Sequence, residues 1–339
     1  METIIAPIKR HDTGQQQQQI TEAVVQASFI RSQAILFNSR KKHGLLYSVA
    51  TIAGLFCIPG ILGAMGSETE IQLLIQRTIP LPFITLMIAV GMYILNDLID
   101  AEADKVNSKN RPIPSGLVSK KQAWSFIILT NGAAVGMLML TLTLASILLV
   151  VPMILIGIFY STPKRIALMN RFMLKNVAIA SFYMMCTMLG MTSSYGIELA
   201  INNPIAPVQT MAISGIMIFV GSTINDLGDI KGDKAAGRRT IPIILGGENT
   251  IKVLTILLIS MPALSWILYG TFVEHHTISM MTTATPVAVT ILASLALLRM
   301  ANIRKVFKDM KLMREQHKKW FPLYMVLQLG FVVGSFLPL

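Results

Sequence analysis

From about residue 43 onward, long apolar stretches alternate with short polar segments that carry most of the lysine and arginine. Many of these stretches approach the roughly 20 residues that a helix needs to cross a bilayer. No strand-like alternation recurs at the spacing of an outer-membrane barrel, so the spans are predicted to be helices. Nine are expected, at 43–64, 79–100, 121–141, 144–162, 174–194, 207–228, 250–270, 278–298 and 320–339. The third and fourth nearly abut, as in a tight helical hairpin. The first 42 residues are polar and include a glutamine run from Gln15 to Gln19. No apolar core precedes a small-residue cleavage site there, so no cleaved signal peptide is expected. Residues 1–25 read as a disordered tail, 26–42 as an amphipathic lead-in on the membrane surface, and 43–339 as the transmembrane domain.

Composition agrees with a membrane protein. Of 339 residues, 53% are hydrophobic and only 14% charged, against about 25% charged in soluble globular proteins. The net charge of +12 would suggest nucleic-acid binding in a soluble domain, but its distribution points elsewhere. All but one of the 29 basic residues fall in five alternate segments: the N-terminal stretch and the connections after spans two, four, six and eight. Only Arg77 lies opposite. By the positive-inside rule, the N-terminus and these five segments face the cytoplasm and the C-terminus lies outside. Membrane lipid, and no nucleic acid, is the partner this charge implies. The densest run, Arg304 to Lys319, reads as a cytoplasmic surface helix. Cys57 and Cys186 both sit in apolar spans with no CxxC partner and read as packing residues.

Chemistry concentrates in two acidic clusters. Span two closes with Asn96, Asp97, Asp100 and Asp104; span six closes with Asn225, Asp226, Asp229 and Asp233. Both follow N-D-L-x-D-x-x-x-D. Positions i, i+3 and i+7 share one helix face, so each cluster presents three carboxylates from one stripe. A solvated helix end would carry ordinary scattered charge. Here six of the 17 acidic residues fall in the two triads, where the apolar span has barely ended and at helix ends whose dipole disfavours them. Oxygen-only donors suit a hard cation such as Mg²⁺, which is usually held by a few carboxylates, waters and phosphate oxygens. Facing triads of this kind suit a metal pair bridging a diphosphate. Arg111 follows the first cluster, Arg238 and Arg239 follow the second, and Tyr160 with Lys164 and Arg165 closes span four; arginine and lysine are the usual phosphate partners.

These residues resemble the UbiA superfamily of intramembrane prenyltransferases. The likeness rests on N-D-x-x-D-x-x-x-D at Asn96 to Asp104, the basic-proline segment Arg111–Pro112, the second acidic motif at Asp226, Asp229 and Asp233, Arg238 to Pro242 downstream, and Y-x-x-x-K at Tyr160 and Lys164. It covers roughly residues 40–339. The resemblance implies an all-α membrane fold, about nine transmembrane helices around a central cavity with cytoplasmic cap loops. It implies Mg²⁺ on Asp97, Asp100, Asp104, Asp226, Asp229 and Asp233, with Asn96, Arg111, Tyr160, Lys164, Arg165, Asn225, Arg238 and Arg239 binding substrate. A polyprenyl diphosphate would ionise and pass its isoprenyl group to a lipid or aromatic acceptor.

The segment 111–116 and the Asp229-to-Asp233 spacing resemble the archaeal digeranylgeranylglyceryl phosphate synthases, although Asn225 stands where lysine is more usual in that group. An aromatic acceptor of quinone biosynthesis is the rival. A haem acceptor is disfavoured, because no histidine lies within a span except His43 at an edge; His275 and His276 fall on the far side. A cation transporter is the rival of another class, but transporters place intramembrane acids near the midplane on broken helices.

Overall fold

The computed structural model describes residues 13–56, 78–107, 110–141, 143–162, 168–192, 205–273 and 280–334, with positions 72 and 76. Among them there are helices and no strands. In chain order these are α1 (Thr13–Phe56), α2 (Pro80–Ile99), α3 (Ala101–Val106), α4 (Lys120–Thr141), α5 (Leu144–Ser161) and α6 (Leu174–Met191). There follow α7 (Ile205–Ala235), α8 (Ile241–Leu245), α9 (Gly247–Val273), α10 (Met280–Val306), α11 (Met310–Lys318) and α12 (Phe321–Gly334). A 3₁₀ turn at Leu168–Asn170 precedes α6.

Seven of these helices are long and apolar enough to cross a membrane: α2, α4, α5, α6 and most of α7, α9 and α10. The protein is therefore an integral, multi-pass membrane protein. The first and last expected spans coincide with the C-terminal part of α1 and with α12, and each runs on beyond the described residues. α1 packs against α2, α6 and α12; α6 packs on α7, α7 on α9, α9 on α10, and α10 on α12, which closes the bundle.

Among the described residues the main apolar cluster of the interior includes Tyr47, Ile84, Met153, Phe182, Leu189, Met217, Leu258 and Trp320, and a smaller one joins α1, α2 and α4 through Leu36, Ile94 and Phe126. α1 and α6 approach most closely: a Cβ at Gly54 would run into the Thr187 carbonyl, and one at Gly190 into the Thr51 carbonyl. Small residues at helix crossings let backbones meet and gain packing where lipid supplies no hydrophobic drive. Polar side chains join helices too, with Gln328 donating to Ser214 at 2.9 Å.

Four element boundaries differ from expectation, the simplest being α10, which runs to Val306, past the expected end of span eight at 298. α1 is helical from Thr13, so the glutamine run lies in its first turns and no break separates the lead-in from the first span. Glutamine is a good helix former, and the polar composition that suggested a tail does not oppose a helix continued from a packed one. α7 runs to Ala235, past the expected end of span six at 228, and carries the whole second motif within it. The basic run from Arg304 divides at Asp309, whose carboxylate caps α11 by accepting from the Lys311 and Leu312 N–H groups. α11 is then no freely solvated surface helix. It packs on α7, with Met313 and the following Trp320 buried.

Candidate active site

The first motif lies where α2 passes into α3. At Asp100 the backbone leaves helical geometry for one residue, with φ −91° and ψ 7°. The hydrogen bonds Asp100 N–H to Asn96 O and Asp104 N–H to Asp100 O, at 2.8 and 2.9 Å, carry the turn through. Asp97, Asp100 and Asp104 therefore share a face, as the i, i+3, i+7 spacing predicts, and all three are buried. Glu102, off that face, is exposed. This contrast separates the motif from ordinary helix-end charge. Asn96 Nδ2 donates to Asp100 Oδ2 at 2.9 Å and steadies it.

The second motif is built the same way on α7. Asp226, Asp229 and Asp233 are buried, and Asn225 Nδ2 donates to Asp229 Oδ2 at 3.1 Å. The two motifs meet directly. Asn107, just after α3, accepts from the Gly232 N–H at 2.9 Å, an approach that a Cβ at Gly232 would block. Beyond α7 the chain turns at Gly237, whose φ of 70° suits glycine, and the Arg238 N–H closes onto the Asp233 carbonyl at 2.9 Å. That turn sends Arg238 back across the cluster. Its guanidinium donates to Asp233 at 2.9 Å and also to Asp100, tying the two motifs together.

Four further cations complete the site. Arg40 of α1 forms a two-pronged bond with Asp97, its Nε donating at 2.7 Å. Arg111 Nη1 donates to Asp97 at 2.6 Å and to Asp104. Lys175 of α6 donates to Asp226 at 2.5 Å, and Asn176 adds a bond to the same carboxylate at 3.2 Å. Arg314 of α11 places Nε 3.6 Å from Asp229. The five basic segments of the sequence thus contribute one cation each, which places all five on one face of the bundle. Burial pushes the Asp100 carboxyl above its usual range, against the opposing pull of Arg238. Burial disfavours the charged forms of Arg238 and Arg40, but Asp100 and Asp233 around the first, and Asp97 beside the second, hold both pKa values above the ordinary.

The structure brings the six aspartates, Asn96, Asn225, Arg111 and Arg238 into one cluster. Tyr160 is buried beside it, packed on Ala178 one turn along from Lys175. Arg239 is not part of it: its side chain is exposed and only its backbone N–H reaches Asn170, at 3.4 Å. The reason is the turn at Gly237, which directs one arginine inward and the next outward. Lys164 and Arg165 lie outside the described residues. Sequence reading missed Arg40, Lys175, Asn176, Asn107 and Arg314. Arg40, Lys175 and Arg314 sit in segments where positive-inside topology already explains basic charge, and Asn107 and Asn176 are uncharged residues outside the repeated motifs, so none carried its own signal. The one hint was position: Arg40 and Lys175 fall within a turn of a predicted span end.

A cavity of about 430 Å³ opens beside Asp100 and Arg238, lined also by Ile99 and Asn170. A second hollow of about 480 Å³, almost wholly apolar, runs between α6, α7 and α9 from Phe172 and Ile241 toward Met184. Among the described residues no three acidic, histidine or cysteine side chains converge into a ready metal cage, because the arginines and Lys175 stand between the carboxylates. The donor chemistry nevertheless fits a hard divalent cation: it is oxygen only, supplied by six buried carboxylates, three from the α2–α3 junction and three from α7.

Comparison with known proteins agrees with this geometry. The sequence pattern of the UbiA prenyltransferase family matches residues 53–314. A curated relative, the digeranylgeranylglyceryl phosphate synthase of Methanoculleus marisnigri, is 30% identical over 203 residues, which are 59% of this chain and 66% of the relative. The chain thus spans just under two thirds of that relative's length. Among solved structures, a UbiA homologue from Archaeoglobus fulgidus bound to GPP and Mg²⁺ superposes with a TM-score of 0.61 at 16% identity, covering 89% of this chain and 99% of that one. The apo UbiA homologue from Aeropyrum pernix gives 0.63 at 17% identity, over 87% and 98%. At these identities the likeness establishes the shared fold.

Proposed function

This chain belongs to the UbiA prenyltransferase family, and from that membership we propose that it transfers an isoprenyl group from a polyprenyl diphosphate to geranylgeranylglyceryl phosphate, a step of ether-lipid synthesis. The observation that carries the proposal is the charge balance of the buried cluster. Six carboxylates face five cations, so the formal charge is close to −1. An allylic diphosphate adds about −3, and two divalent cations return the total to about zero. Neither the diphosphate nor the metal pair is tolerable alone in so dry a place; together they are.

The six aspartates would hold Mg²⁺, whose chemistry is to neutralise diphosphate as its charge develops. The chain's own groups do the rest. Arg40, Arg111, Lys175 and Arg238 exchange their carboxylate partners for phosphate oxygens, with Lys164 and Arg165 joining them on sequence grounds. Asn96 and Asn225 orient Asp100 and Asp229. The apolar interior receives the isoprenoid chain and keeps water from the allylic carbon once its bond to oxygen breaks. The acceptor rests on the name borne by the archaeal relative and on the 111–116 resemblance. The site faces the cytoplasm, as does the N-terminus. This orientation is supported by the concentration of basic residues in the five segments that build the site.

The test is to purify Asp97→Asn and Asp229→Asn in detergent and measure Mg²⁺-dependent release from labelled geranylgeranyl diphosphate. Losses of at least about 100-fold are expected in folded protein; turnover like the wild type in either variant overturns the metal assignment. Offering the wild type a glyceryl phosphate ether beside aromatic acids tests the acceptor.

A further inference from the structure

Directly beneath the carboxylate cluster lies a layer of rings that takes no part in it. His43 is three residues deeper than Arg40 along α1, and Tyr93 is four residues before Asp97 on α2, also toward the membrane interior. At about 1.5 Å per residue, His43 sits roughly 4.5 Å and Tyr93 roughly 6 Å below the groups that pair at the cluster. Their rings lie 4.5 Å apart, between centroids. Tyr93 is accounted for: its hydroxyl shares a hydrogen bond with Tyr47 at 3.2 Å, and the Arg40 guanidinium lies 5.5 Å from its ring. His43 is not. Its Nδ1 is buried and has no hydrogen-bond partner among the described residues, while the residue as a whole keeps part of its surface exposed. An unpaired ring nitrogen is an uncompensated cost in the folded protein unless something bound there completes it.

A diphosphate held by the cluster has its allylic carbon in the next layer down, because the phosphates stay with the cations and the chain enters the apolar interior. That layer is the one His43 occupies. We propose that His43 is the base of the transfer, its Nδ1 accepting the hydroxyl proton of the acceptor. The proposal rests on the alcohol acceptor given above. As the allylic carbon–oxygen bond breaks, its electron pair leaves with diphosphate. The acceptor oxygen forms the new bond to that carbon, and its proton passes to His43, which becomes imidazolium and returns the proton to solvent. The charged and titratable groups acting on the ring are Arg40 and Lys42 on its own helix, Arg111 from the α3–α4 connection and His317 from α11. None of these is a carboxylate that would hold it protonated. The ordinary reading, a ring packed on Tyr93 at a helix edge, is what the following variants separate.

The full chain in detergent would be given labelled geranylgeranyl diphosphate with and without geranylgeranylglyceryl phosphate, as wild type, His43→Phe and His43→Asn. His43→Phe keeps the ring and its packing. Its transfer to the acceptor should fall by about 100-fold or more, while acceptor-independent diphosphate release stays within about 3-fold of wild type. Wild-type transfer should also decline at acidic pH with a slope of one, a limb missing from His43→Phe. If His43→Phe does not fold, His43→Asn decides by the same split between transfer and release. Transfer within about 3-fold of wild type, or equal loss of both reactions, overturns the assignment of the base. Wild-type protein that releases diphosphate without labelling the ether acceptor overturns the acceptor reading and this one with it, an outcome distinct from the other two.

Discussion

Arg238→Gln tests the bridge between the two acidic motifs. In the folded protein Arg238 is 9% exposed and its partners Asp100 and Asp233 are 6% and 1% exposed. Removing one member of a buried ion pair costs about 3–5 kcal/mol, because the remaining charge is stranded in a poor solvent. At roughly 2 °C per kcal/mol for a chain of this size, the midpoint in detergent and EDTA should fall by about 6–10 °C. The same change removes the competitor that holds the carboxylates, so Mg²⁺ should bind the variant more tightly and stabilise it more than the wild type; at 100 times the variant's Kd its total stabilisation is about 2.7 kcal/mol. The pH dependence has a definite sign. Burial raises the folded pKa of Asp100, so its contribution to stability is complete below the unfolded value near 3.9 and is lost as pH rises through the folded one. Without Arg238 that folded value moves higher still, and the loss extends to higher pH than in the wild type. Thermal unfolding with and without Mg²⁺ at pH 5 and 7.5 measures all of this. Wild-type stability in EDTA, or an equal Mg²⁺ increment in both proteins, refutes the reasoning.

Other consequences are simpler. Gly54→Val must push the Thr187 carbonyl away and part α1 from α6; a cost of about 1–3 kcal/mol should appear as a lower unfolding midpoint, whatever metal is present. Gln328→Leu loses the 2.9 Å bond to Ser214 and should cost about 0.6–2 kcal/mol by the same assay. Arg314→Ala removes the cation that neighbours Asp229 from α11, and should lower the Mg²⁺ concentration needed for diphosphate release several-fold while changing the midpoint little, as Arg314 is one-quarter exposed. A cysteine at Ser115, exposed in the α3–α4 connection, should escape an impermeant maleimide in sealed cells, whereas one at Arg77 should react; the reverse pattern would invert the orientation.

Much of the molecule was readable before folding. Apolar run lengths located all seven of these spans, five of them within a few residues at both ends, because lipid allows only self-satisfied helices and those need a known length; the sixth and eighth expected spans stop short of Ala235 and Val306, where the helices end. The repeated N-D-L-x-D-x-x-x-D identified both acidic faces, because an α-helix imposes the i, i+3, i+7 stripe wherever the sequence is helical. Glu102 pointing out while Asp100 and Asp104 point in is that periodicity alone. Boundaries were less legible: nothing local says that α7 continues to Ala235, since its last turns are held by packing on α3 and α11.

The identity of the counter-ions belongs to the tertiary structure. Arg40, Lys175 and Arg314 stand 57, 51 and 85 residues from the aspartates they meet, and nothing in their own neighbourhoods distinguishes them from the basic residues that merely orient the chain. Arg238 and Arg239 are adjacent and chemically the same, yet only the first enters the site, because the chain turns at Gly237 before reaching them. Periodicity and membrane thickness act within a segment and can be read there. Which buried charge neutralises which depends on how helices far apart in the chain are packed, and that is decided only when the bundle closes.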